Sequence, residues 1–168
     1  MMIKSTLIAG FLALGATLPA IADPVTDANF VIGTDICVNF GADAWFVTDR
    51  IEDVGWTRRK DAEYGVDVYD SPDQSVVLIP PATDAKFPVT CSIVSQKVSL
   101  GFAIESTRAI LVKSGVDAIK DTEDGCLIFR TGTDVTIEVH NDGNEVMCDQ
   151  PMTAHVNVKT FSNPIAGQ

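Results

Sequence analysis

Four cysteines, Cys37, Cys91, Cys126 and Cys148, stand far apart along 168 residues, and what they become depends on what precedes them. Lys4 leads into the apolar run from Leu7 to Leu18, and Pro19-Ala-Ile-Ala-Asp then places small residues at Ala20 and Ala22. This is the three-part layout of a secretory signal peptide, with cleavage expected after Ala22. The run is shorter than the ~20 apolar residues that span a bilayer, so no membrane insertion is expected once residues 1–22 are removed. Export to a periplasmic or secreted location turns an even number of cysteines into disulfides. No close Cys-x-x-Cys pair of a redox enzyme or zinc ribbon is present.

The pairing follows from which sulfurs face one core. Phe87, Val89, Cys91 and Ile93 alternate with Pro88, Thr90 and Ser92, the period of a strand with one buried face, so Cys91 points inward. Val135, Ile137 and Val139 alternate in the same way. Asn141-Asp-Gly-Asn144 then reads as a hairpin turn that sets Val139 opposite Val146 and Ile137 opposite Cys148. Cys126 opens a further strand-like run, Cys126-Leu-Ile-Phe-Arg130. The expected bonds are therefore Cys126–Cys148 within one sheet and Cys37–Cys91 tying the N-terminal segment to it. Chain entropy assigns such loops roughly 3 and 4 kcal/mol respectively.

Helices are expected where the period lengthens. Leu100, Ala103, Ile104, Thr107, Ile110 and Leu111 form one stripe, capped by Ser99 and ended by Gly115. Ala44, Val47, Ile51 and Val54 form another between Asp43 and Gly55, whereas the stretch from Ala28 to Phe40 is only weakly helical in pattern. Strands are expected around Tyr64, Val66 and Val68, over Ser75 to Ile79 as far as Pro80-Pro81, and over Thr153 to Phe161, with Ala154, Val156 and Val158 on one face. The order gives an α+β fold, a two-layer sandwich of a mainly antiparallel sheet with helices on one face, stapled by two disulfides. Residues 23–161 form its single domain, with 162–168 as a flexible tail.

The charge limits the partners. The chain carries −11, and the leader contains Lys4 and no acid, so its removal leaves the rest more negative still. Such a surface repels nucleic acid and anionic lipid. A partner protein or a cationic ligand is compatible with it. Arg58-Arg59-Lys60, beside Asp61 and Glu63, reads as a solvated loop.

Candidate chemistry is concentrated between residues 140 and 155. His140, Met147 and His155 fall on the polar face of their strands, and imidazole with thioether suits copper. A periplasmic copper- or metal-binding protein is one alternative reading. Against it, Cys148 in a disulfide offers no thiolate, and six residues separate it from His155, unlike a blue-copper loop. Asp121-Thr-Glu-Asp-Gly125 resembles a calcium loop, but Lys120, Thr122 and Thr131 occupy ligand positions, and a type I turn explains it better. No Gly-x-Ser-x-Gly elbow or His-Glu-x-x-His helix occurs. Asp49, Glu52 and Asp53 share one exposed helix side, which without a pocket is solvation. A hydrolytic enzyme with an unrecognised carboxylate site is the second alternative; no catalytic residue and no cofactor are assigned.

What stands out is aromatic. Trp45 and Phe46 lie off the stripe of their helix, and Trp56 follows the glycine stop ahead of Arg58 and Arg59. One reading is that these rings pack under the first segment or the 80–87 loop; the other is a recognition patch, since Trp and Arg are enriched where partners bind. The sequence therefore points to a non-catalytic binding, interaction or inhibitor-type protein with Trp45, Phe46, Trp56, Arg58 and Arg59 as its candidate partner-binding residues.

Overall fold

The computed structural model describes residues 23–62, 65–123, 126–131, 134–140 and 153–162, without the side chains of Glu123 and Cys126. The leader, Met147, the 141–144 turn, Cys148 and residues 163–168 lie outside the described residues. Helix α1 runs over Pro24–Phe40. Asp23 caps it by accepting from the Val25 amide, and Pro24 supplies a preset φ where no amide is needed. Helix α2 (Ala44–Asp53) starts on Asp43, whose carboxylate accepts from the Trp45 and Phe46 amides. Helix α3 (Leu100–Lys113) starts on Ser99, and its exit passes through Gly115 at φ +66°, a left-handed conformation that favours glycine.

The strands are β1 (Thr57–Lys60), β2 (Asp67–Asp70), β3 (Val77–Ile79), β4 (Val89–Ser95), β5 (Ala118–Glu123), β6 (Cys126–Thr131), β7 (Val135–His140) and β8 (Ala154–Thr160). They form one eight-stranded sheet in the order β1-β2-β3-β4-β8-β7-β6-β5, antiparallel throughout. Each half of the chain thus supplies helical structure followed by four strands in sequence order, and the halves meet at β4 and β8. At that seam Ser92 lies opposite Asn157 and donates to its side-chain oxygen at 2.6 Å.

Register aligns the apolar positions into rows. Leu78, Ile93, Val156, Val139 and Leu127 are successive cross-strand partners, as are Cys91, Val158, Ile137 and Phe129, and all are buried. α1 and α3 pack against each other and over this face. The Cys37–Cys91 bond joins α1 to the central strand β4 with a Cα separation of 5.5 Å. Gly33 sets how closely α1 approaches. A Cβ there would lie 2.8 Å from Ile93 Cδ1 and 3.2 Å from Trp56 Cη2. No described helix is long and apolar enough to cross a membrane.

The α+β class, the antiparallel sheet, α2, α3, β4, β8 and the Cys37–Cys91 bond agree with the sequence. The Cys126–Cys148 bond falls outside the described residues. Several expectations need correcting. The Arg58-Arg59-Lys60 loop is strand β1, held to β2 by ion pairs of Arg58 and Lys60 with Asp67 and of Arg59 with Asp70. Charge replaces hydrophobicity there, so no apolar period announces the strand. Residues 118–123 form strand β5, with Asp121 beside Arg130, so the strand runs further than expected; Asp124 and Gly125, where the expected turn into the Cys126 strand falls, lie outside the described residues. The alternation expected at Val66 and Val68 does not hold either, because Val66 is exposed and adjacent Val68 and Tyr69 are both buried. The expected pairing of β7 with residues 145–148 fails as well, since one edge of β7 is bonded to β6 and the other to β8, with Val158 opposite Ile137. Ser162, at the start of the expected tail, donates to the Asp134 carboxylate.

Candidate binding surface

Helix α2 turns Val47 and Ile51 fully into the core. Residues one and two positions before Val47 then have nowhere to go but outward. Trp45 is 65% exposed and Phe46 40%. The Trp45 ring meets Phe46 edge-on with centroids 5.0 Å apart, and Phe46 lies 6.3 Å from Phe40 at the end of α1. The Arg50 guanidinium stands over the Phe40 ring at 5.6 Å, within reach of its π face. Phe40 and Arg50 were not singled out from the sequence. Arg50 lies one turn beyond Phe46 on α2, a spacing that places both on one side of the helix.

Two expected members of this patch are elsewhere. Trp56 is 4% exposed and belongs to the core beneath Gly33, in line with the reading that packs it under the first segment, because the chain reverses at Gly55 and folds the ring under α1. Arg58 and Arg59 are exposed on β1, but their guanidinium groups are engaged by Asp67 and Asp70. The bonds from Arg58 and Lys60 hold the Asp67 carboxyl below its ordinary range. On the same side of the sheet, Tyr69 donates to Glu52 at 3.1 Å, so this α2 carboxylate is held in a structural contact.

Between the three helices lies a cleft of about 590 Å³. α1 supplies Ile32, Ile36 and Phe40 to it, Val54 enters from just past the end of α2, and α3 supplies Ile110. Arg50 and Lys113 also line it, with Asp35 3.8 Å from the Lys113 ammonium.

On the opposite face of the sheet, His140 and His155 are direct cross-strand partners with ring centroids 4.7 Å apart. The sequence placed both on an exposed polar face, and the face is right, but His155 is 8% exposed. His140 Nε2 lies 2.9 Å from the Asn157 side-chain nitrogen. With the amide donating, Nε2 is the accepting nitrogen of that ring. Lys159 donates to Glu138 at 2.7 Å along the same face. Among the described residues no group of three or more His, Cys, Asp or Glu is arranged to hold a metal ion.

Among the described residues Asp73 is the most heavily bonded carboxylate. It accepts from Thr26 and Asn29 of α1, from the Ser71 and Ser75 hydroxyls and from the Ser75 amide. Burial pushes its pKa up, but the bonds from Ser71, Ser75 and Asn29 outweigh that and hold it well below the ordinary carboxylate range. Its lone pairs are committed to donors. The group locks α1 to the β2–β3 turn and is poorly placed to act as a base.

No family model matches the sequence, and no curated protein or solved structure does either.

Proposed function

We propose that the chain is an exported, non-catalytic binding protein that presents the Phe40, Trp45, Phe46 and Arg50 corner to a partner protein. The observation that carries this reading is the exposure of Trp45 beside Phe46, on a helix whose Val47 and Ile51 are buried. Large rings with an arginine are the side chains that dominate interface energetics when desolvated. The carboxylates met in the fold are engaged: Asp73 by donors, Asp67 and Asp70 by cations, Glu52 by Tyr69. That supports recognition over acid–base chemistry. The buried Cys37–Cys91 bond is compatible with an oxidising compartment. In this reading the leader is removed after Ala22 and Cys126 bonds to Cys148.

The test is capture of compartment-specific proteins by the purified chain, compared with Trp45→Ala and Phe46→Ser. Loss of a specific captured protein with both variants, at unchanged melting temperature, supports the corner as the site. Identical capture by wild type and both variants removes it. Mass spectrometry of the exported protein reads the start of the mature chain and the number of free thiols, with none expected.

A further inference from the structure

A second surface, which shares Phe40 and Arg50 with that corner, is the cleft between the helices. Its floor is α1, whose apolar residues are not confined to one face. The sheet covers one side, but Val31 and Ile32 on the other remain only half-buried and line the cleft. The volume of about 590 Å³ falls within the roughly 300–1,000 Å³ of small-molecule sites.

Charge then selects the occupant. Arg50 and Lys113 bring two cations to the lining and Asp35 one carboxylate, which already faces Lys113. Arg50 stacks on Phe40 and forms no ion pair among the described residues. The cleft therefore has a positive local balance on a chain whose overall charge is −11. A cationic or purely apolar occupant would leave that charge opposed or unused, whereas an anion next to apolar walls meets both features.

We infer that the cleft between α1, α2 and α3 binds a small amphipathic anion, a hydrocarbon chain ending in one carboxylate. The chain lies against Ile32, Ile36, Val54 and Ile110, and the head group sits beside Arg50 and Lys113.

The test is isothermal titration of the exported chain with dodecanoate below its micellar concentration, in parallel with dodecyltrimethylammonium. Two variants at exposed positions accompany it, Arg50→Glu and Ala109→Trp, each checked for an unchanged melting temperature. Ala109 lines the cleft, so a large ring there fills it. Wild type is expected to bind dodecanoate at one site and to prefer it over the cation. Arg50→Glu should weaken dodecanoate by about tenfold or more, as for the loss of one charge-assisted contact, and narrow the preference between head groups. Ala109→Trp should abolish binding of both. No dodecanoate binding by wild type, equal affinity for the two head groups, or undiminished binding by Ala109→Trp overturns the inference. Partner capture dependent on Trp45 is read separately, so either site can fail alone.

Discussion

Replacing Cys37 and Cys91 together by alanine opens a loop that spans 54 residues. In the chain-entropy treatment a crosslink over that separation lowers the entropy of the unfolded chain enough to stabilise the fold by about 4 kcal/mol. Native contacts contribute little to the difference. Both sulfurs are fully buried, and alanine removes one atom from each in a region where Gly41 already leaves little room beside Cys91. At about 2–4 °C per kcal/mol for a chain of this size, the melting temperature should fall by about 8–16 °C. Urea denaturation gives a sharper reading, because a crosslinked unfolded chain exposes less surface. The double variant should show both a lower midpoint and a larger m-value. Folding in stopped-flow should also slow, since α1 and β4 then have to meet across an open loop. A loss below about 1 kcal/mol with an unchanged m-value would refute the reasoning. It would mean that the unfolded chain is already compact around this pair.

Asp73→Asn should destabilise the protein at neutral pH by about 2–4 kcal/mol, since buried donors of Thr26, Asn29, Ser71 and Ser75 lose a charged acceptor. The depressed native pKa makes the wild-type advantage complete above the unfolded carboxyl value and lost as pH falls through it toward the native one. Urea midpoints of the two proteins should therefore converge below about pH 4, and a constant gap down to pH 2 would contradict the assignment. Gly33→Val should cost about 1–3 kcal/mol by forcing α1 off Ile93 and Trp56. Gly101→Ala, with open space around the added methyl, should gain about 0.5–1 kcal/mol. Thermal melts of that pair test whether packing distance or helix propensity rules at Gly33. Trp56→Ala should cost about 3–5 kcal/mol, whereas Trp45→Ala should stay within about 0.5 kcal/mol. Comparable losses in denaturation would mean that the exposed and buried tryptophans have been confused.

What the sequence disclosed followed from how each element earns its stability. α3 has a one-sided stripe and a serine cap, and β4 has strict alternation with Cys91 inside, so each carries its burial pattern in its letters. α1 does not, because it faces the sheet, α2 and α3 at once, with polar Thr26, Asn29 and Thr34 buried and apolar residues spread over several sides. Periodicity fades when polar and apolar positions share the same faces. β1 failed for the opposite reason, as Thr57-Arg-Arg-Lys60 has no apolar residue and pairs through cross-strand charge. The candidate site was half legible. Trp45 and Phe46 were visible as aromatics out of phase with their helix, and the four-residue spacing already put Arg50 beside Phe46, but Phe40 meets them only when α2 folds back on α1. Trp56 looked exposed because it follows a helix stop, and only the chain reversal at Gly55 sends it inward.

The seam between β4 and β8 has a temporal consequence. A ribosome or a membrane pore delivers the first four strands long before residues 154–160, yet these residues fill the middle of the sheet and form the partner edge of β4. Until they arrive, an apolar strand waits with unsatisfied amides, and the second half has no first half to close upon. The complete sheet therefore cannot assemble until nearly the whole described chain is available.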